Sequence, residues 1–238
     1  MDNRKMPPRR VVRIVLTGGV AAGKSQMLSR LRELLKDSTI PAAYVKECAT
    51  ELLSQGYTPE RWGNVAFQHA IFRRQLQNEN RAFRRMLSAS KETGQPVLLL
   101  CDRGLCDGGA YIPPDTFGTI CRSFAYSRKR LLGRYQGVLF LDSMATRPDL
   151  PFDVKNGNGL RLETGREEAL LSNERSFAAW SDHPNLVRIP ASEQFEGKVQ
   201  QTAAGQIGEN QNGKGDPLGN GGSQRSTGYA HIQTKDKD

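Results

Sequence analysis

The chain has 238 residues, of which 37% are apolar and 25% charged, and a formal net charge of +9 at pH 7. That length suits one mid-sized domain with its own core plus a tail, not two domains. No run approaches the roughly 20 apolar residues that span a bilayer, and the N-terminal MDNRKMPPRR carries no signal-type apolar stretch, so the expectation is a cytoplasmic chain, neither exported nor membrane-spanning.

Four cysteines, Cys48, Cys101, Cys106 and Cys121, form no CxxC pair and have no histidines at zinc spacing. They read as reduced, mostly buried thiols. The basic balance predicts attraction to polyanions or to phosphorylated small molecules. Its charges cluster at 73–91 and 122–134, two helical stretches whose bland role is a solvated face.

In chain order, residues 11–17 (VVRIVLT) are a β-branched apolar run ending in glycines, the pattern of a buried parallel strand. Residues 24–36 carry Met27, Leu28, Leu31, Leu34 and Leu35 at helical spacing. A second strand at 42–46 leads to Glu47 and a short helix at 48–55. A long helix at 62–91 follows, broken by Gly94 and Pro96 before VLLLC at 97–101, the strongest buried-strand signal, which ends at Asp102. A helix at 120–135 precedes a strand at 137–141 (GVLFL). Residues 142–165, rich in Pro, Gly and Asn, form a long polar loop of the kind that is usually functional. Residues 185–189 supply a fifth strand and 195–204 a last helix. After 205 the chain is Gly, Asn, Gln and Ser with almost nothing to bury, a disordered tail. Strands alternating with helices imply βαβ units and a parallel sheet covered on both faces.

Gly18, Gly19, Val20, Ala21, Ala22, Gly23, Lys24 and Ser25 fit G-x-x-x-x-G-K-[ST] in full. The motif follows a buried strand and opens an amphipathic helix, the context that makes it a P-loop. Glycines let backbone N–H groups face a polyphosphate at a helix N-terminus. Lys24 then reaches the β and γ phosphates, and the Ser25 hydroxyl coordinates Mg²⁺.

Asp102 ends its strand at the carboxyl edge that faces the P-loop crevice, where a carboxylate holds Mg²⁺ through a water. Its neighbour is Arg103, not a water-activating glutamate, which tilts the reading from hydrolysis to transfer. Arg103 either pairs with phosphate or makes a structural salt bridge. Glu47 also ends a strand into the crevice, placed either to take a proton from an acceptor hydroxyl or to begin the following helix. Arg161 and Arg166 are the lid-loop candidates for stabilising charge on the transferring group. No NKxD motif is present, and the one DxxG, at 115–118, reads as a turn. His69 and His183 read as structural.

With these pieces assembled, RIVLTGGVAAGKS, KECATELL, FQHAIFRRQ, VLLLCDRGLCDGGAY, YQGVLFL, GLRLE and WSDHPNLVRI resemble, in order, the NadR-like AAA-type P-loop family. That family includes the kinase domain of NadR, which phosphorylates nicotinamide riboside, and the GTP-binding TRPL translocation defect proteins. The resemblance implies a nucleoside or nucleotide kinase type of fold, and it puts Glu47, Asp102 and Arg103 in the acceptor and metal region. It also suggests that Gln68 and Gln75 face the acceptor, where spacing alone leaves both in solvent. Arg161 and Glu163 look like the family's lid segment. The Pro113–Pro114 pair and the glycine-rich tail depart from the pattern, and nothing resembles the second helical domain or sensor arginines of unfolding motors.

The sequence therefore predicts an α/β three-layer P-loop NTPase fold with a five-stranded parallel sheet, nucleoside/nucleotide-kinase-like. Residues 1–10 are a flexible basic N-terminus, 11–204 the domain with its lid-like loop at 142–165, and 205–238 the tail. The expected activity is a small-molecule kinase using ATP or GTP with Mg²⁺ and a nucleoside-like acceptor. Lys24 and Ser25 position the donor, Ser25 and Asp102 hold the metal, Glu47 is the base, Arg103 meets phosphate and Arg161 closes from the lid. The rival is an ATP- or GTP-binding switch that binds a protein or anionic lipid through Arg84, Arg85, Arg128 and Lys129. Nucleic acid is disfavoured, resting on charge alone without an aromatic-rich surface motif.

Overall fold

A computed structural model describes residues 11–192, apart from 37, 150–151 and 153–164. The N-terminal stretch, Arg161, Glu163, the helix expected at 195–204 and the tail lie outside the described residues. Five strands, β1 (Val11–Gly18), β2 (Ala42–Val45), β3 (Val97–Asp102), β4 (Gly137–Leu141) and β5 (Leu186–Ile189), form one sheet in the order β2-β3-β1-β4-β5. Every pairing is parallel.

Alternation along the strands divides the core between two faces. Val11 and Val15 of β1 join Val97, Leu99 and Cys101 of β3 in a cluster with Phe72, Met86 and Trp180. Ile14 and Leu16 point to the other face, joining Leu100, Leu139 and Ile189 against Met27 and Leu28 of helix α1 (Lys24–Lys36). Fully burying each such side chain contributes about 1.5–3 kcal/mol. With both faces covered, the strands need no polar alternation, which is why they read as apolar runs.

The segment between β2 and β3 folds as three helices, α2 (Cys48–Ser54), α3 (Pro59–Trp62) and α4 (Asn64–Thr93). Thr58 caps α3 by accepting from the Arg61 amide at 3.3 Å, with Pro59 in the first turn. Gly63, at φ 79°, separates α3 from α4, so the helix expected to start at 62 starts at Asn64. Gly94 ends it in the left-handed conformation, its amide on the Ser90 carbonyl.

Three expectations are corrected beyond β3. The helix expected at 120–135 is two, α5 (Pro114–Ser123) and α6 (Arg128–Leu132), because Ala125 adopts φ 60° and Ser127 recaps the chain on the Arg130 amide. Residues 115–118 are not a turn but lie inside α5. The polar loop after β4 begins with buried residues, Asp142, Ser143 and Ala145, around a 3₁₀ turn, Met144–Thr146. It leads to an additional helix, α7 (Arg166–Ala178).

The cysteines are free and buried, and burial pushes the Cys48 thiol up to about 12, so it stays protonated and unreactive. His183 is buried between the Tyr135 carbonyl and the Asn185 amide, and His69 packs on Phe124. No helix among the described residues is long and apolar enough to cross a membrane.

Candidate functional site

β1 is flanked by β3 on one side and β4 on the other, so the chain's winding reverses at β1 and a crevice opens past its carboxyl end. The P-loop fills that position. Ala21 at φ 54° and Gly23 at φ 79° turn the loop back on itself into the first turn of α1, whose leading N–H groups have no intrahelical partner. No acidic residue stands in that turn to compete for an anion.

Gly18 enters the loop at φ 145°, and a Cβ there would lie 2.0 Å from the Leu141 carbonyl oxygen. Gly18→Ala is therefore expected to force β1 from β4 and to lower stability by about 1–3 kcal/mol, read as a lower urea midpoint. The next residue packs as tightly: a Cβ on Gly19 would meet Asn173 Oδ1 at 2.5 Å. Asn173 of α7 is fully buried; it accepts from the Ser143 amide at 2.9 Å and donates to Asp142 at 2.9 Å. Arg188 of β5 clamps Asp142 through Nε at 3.0 Å. These residues form a polar floor beneath the loop.

Lys24 Nζ donates to the carbonyls of Gly18 at 3.1 Å and Gly19 at 2.8 Å. The residue keeps some surface, but burial among protein atoms pulls the ammonium down to about 7. Repulsion from Arg103 adds to this, and Glu47, Asp102 and Asp107 oppose it. Ser25 is exposed beside it in the same cavity.

Asp102 ends β3 in register with Leu16 of β1. Burial and the nearby Glu47 charge raise its pKa against the pull of Lys24 and Arg103, and no hydrogen bond reaches its carboxylate among the described residues. Arg103 follows at φ 62°, held by its own amide on the Leu16 carbonyl at 2.9 Å and by Gln75 Nε2 on its carbonyl at 3.1 Å. Its guanidinium donates to Glu47 at 2.7 Å and to Asp107 at 3.3 Å. The structural salt bridge considered for Arg103 is thus present, and it is made inside the crevice. Burial works to raise the Glu47 carboxyl, but the Arg103 charge and hydrogen bond outweigh it and hold the group below its ordinary range.

Asp107 was not singled out by sequence. It is buried in a 3₁₀ turn, Leu105–Ala110, and accepts from the Gly104 amide at 2.7 Å, from Arg103 and from the Thr17 hydroxyl at the end of β1. The only hint was a second aspartate in DRGLCD. Gly104 is required because a Cβ would come within 2.8 Å of Trp180.

Gln68 and Gln75 are buried, not solvent-exposed as their spacing suggested. Asn64, Phe67, Gln68, Ile71 and Gln75 recur at helical spacing along α4, and that face lines a cavity of about 730 Å³ shared with the P-loop, Glu47, Arg103 and Asp107. Arg166 stands elsewhere, opening α7, with its guanidinium on the carbonyls of Ala145 at 3.1 Å and Arg147 at 2.7 Å and stacked on Phe152.

The site suits a magnesium-bound polyphosphate. Among the described residues Lys24 donates hydrogen bonds only to carbonyls of its own loop, and the Asp102 carboxylate, near enough to act on its charge, accepts none. Among the described residues no group of three or more His, Cys, Asp or Glu could hold a metal by protein ligands alone. One carboxylate and one hydroxyl match a magnesium whose other ligands are phosphates and waters.

Fold and site define an α/β P-loop NTPase-type protein with a nucleotide-binding loop. A family model described as an AAA domain matches residues 13–198, and the chain belongs to that family. No curated protein matches it.

Proposed function

We propose that the chain is a small-molecule kinase that moves the γ-phosphoryl group of ATP or GTP to a hydroxyl of a nucleoside-like acceptor. The observation that carries this reading is a single cavity with two chemically different ends. One end is the cationic P-loop. The other is walled by Thr50, Leu53, Asn64, Phe67, Gln68 and Ile71, with Glu60 at its rim. Of the described residues that line the cavity the cations are Lys24, on the P-loop, and Arg103, which is already committed to Glu47 and Asp107. In a chain of net charge +9, an acceptor end whose described lining offers no uncommitted arginine suits a neutral or cationic nucleoside better than a phosphorylated acceptor, which calls for an arginine clamp. The resemblance to NadR-like kinases points the same way.

In this reading Lys24 and the loop amides hold the β and γ phosphates, and the Ser25 hydroxyl and Asp102 carboxylate would hold Mg²⁺. When bound, the ion neutralises charge developing between the phosphates. Glu47, kept ionised by Arg103, accepts the proton of the acceptor hydroxyl. Arg103 holds that carboxylate in place from a backbone conformation fixed by Gln75. Arg161 is assigned to lid closure from its sequence position.

Because Glu47 titrates below the ordinary glutamate range, the acid limb of a pH–rate profile should fall there, and Glu47→Gln should lower kcat by about 10²- to 10⁴-fold. An unchanged rate would remove the base assignment. The test of the function itself is label transfer from γ-labelled ATP and GTP to a nucleoside panel that includes nicotinamide riboside, with Lys24→Ala as blank. Tight nucleotide binding with no transfer would replace the kinase by a nucleotide-dependent switch.

A further inference from the structure

The two glutamines on the cavity face of α4 are chemically unequal. Gln75 is engaged at both ends: its Nε2 donates to Glu79 at 3.1 Å and to the Arg103 carbonyl at 3.1 Å, and its Oε1 accepts from the Cys48 thiol at 3.0 Å. Its amide is internal structure. Gln68 is 6% exposed, yet no hydrogen bond reaches its amide among the described residues. Both side chains sit on one helix face, and only one of them is engaged by the protein.

The surface the Gln68 amide keeps opens into the cavity, where water pairs with it until a ligand that reproduces those hydrogen bonds takes its place. Gln68 lines the cavity on the acceptor side, flanked by Phe67 and Ile71. Across from it the backbone is kept bare. A Cβ on Gly108 would stand 3.3 Å from Gln68 Oε1 and 3.1 Å from the Phe117 ring, so glycine there keeps space beside the amide. A carboxamide presents one N–H donor and one carbonyl acceptor side by side in a plane. What satisfies both at once is a planar group with the complementary pair, as on the amide or amidine edge of a heterocycle.

We infer that Gln68 is the specificity-determining residue of the acceptor end, reading through paired hydrogen bonds a nucleoside whose ring carries an adjacent donor and acceptor. The inference rests on the kinase reading for the identity of the cavity, but not on turnover. Sites built to hydrogen-bond a polar edge discriminate strongly against analogues that lack it, because the site's own groups are then left unpaired.

The test is equilibrium binding of inosine and adenosine, which carry such an edge, and of purine riboside, which lacks the donor, to the full chain with a non-hydrolysable ATP analogue present. The wild-type chain should bind inosine or adenosine more tightly than purine riboside. Gln68→Leu should weaken that binding about 10- to 100-fold and leave purine riboside nearly unchanged, collapsing the ratio. Gln68→Glu, which keeps the shape but removes the donor, should also reduce the ratio. Because no described residue pairs with the amide, the Tm of Gln68→Leu should stay near wild type, where a structural amide would lower it. The assignment falls if the wild-type chain binds none of the three, binds them equally, or keeps its preference in Gln68→Leu. If the preference depends on Gln68 but no label is transferred, the kinase reading fails and the recognition role stands.

Discussion

Glu79→Ala is expected to be the most destabilising single substitution in the described domain, at about 3–5 kcal/mol. Glu79 is fully buried in the middle of α4. One carboxylate oxygen accepts from Arg134 at 3.0 Å and lies 3.6 Å from Arg13; the other accepts from the Tyr135 hydroxyl at 2.9 Å and from Gln75 at 3.1 Å. This single side chain ties α4 to the start of β1 and to the segment that enters β4. The arginine side chains keep only 6% and 11% of their surface, so truncation would strand two buried guanidinium groups. Their stacking on Phe83 and Tyr126 holds them in place and would not neutralise them. Against a typical domain stability of about 5–15 kcal/mol, that loss is a large fraction. Urea unfolding followed through buried Trp180 would measure it, with Glu79→Gln intermediate because the amide keeps hydrogen bonds but not the charge. A midpoint for Glu79→Ala close to wild type would show that the cluster contributes little.

The sheet was legible because its strands are buried on both faces. VVRIVLT, VLLLC and GVLFL are runs of apolar residues with few alternatives, and each became a strand within a residue or so of its expected ends. The P-loop was legible because glycine and lysine spacing is itself the chemistry. Helix α7 was not, for a specific reason. The residues it buries are Ala169, Asn173 and Ser176, so its inward face is small and polar and presents no apolar stripe at helical spacing. The same logic hid the cavity face of α4. A helix that turns Asn64, Gln68 and Gln75 towards a cavity looks, by composition, like one that turns them to water. The break between α5 and α6 was invisible because a left-handed Ala125 carries no glycine or proline signal, although Ser127 before RKR was a readable cap. Arg103 illustrates a subtler limit. Its identity suggested either a phosphate contact or a salt bridge, and the structure makes the salt bridge with a carboxylate that faces the same crevice.

On the proposed function, nucleotide affinity should depend on the protonation of Lys24, and the sign follows from its surroundings. Burial and Arg103 bring the free-protein pKa down to about 7. A bound triphosphate adds negative charge next to the ammonium and must raise that value. Below the free-state value the lysine is charged before binding, so affinity is flat in pH with respect to this group. Above it, a proton has to be taken up to form the ammonium–phosphate contact, and the observed Kd should rise by up to about tenfold per pH unit until the bound-state pKa is passed. Calorimetric titrations at pH 8 in two buffers of different ionisation enthalpy should show net proton uptake. Lys24→Arg, charged throughout, should flatten the profile. Lys24→Ala removes the cation altogether and should weaken binding about 30- to 4000-fold, the range for losing one partner of a desolvated charge pair. The two variants separate charge from shape. If Lys24→Arg kept the wild-type pH slope, the titrating group would be another residue, and not Asp102: its pKa is raised by burial and by Glu47, and its ionisation would strengthen magnesium binding as pH rises and so drive affinity in the opposite direction.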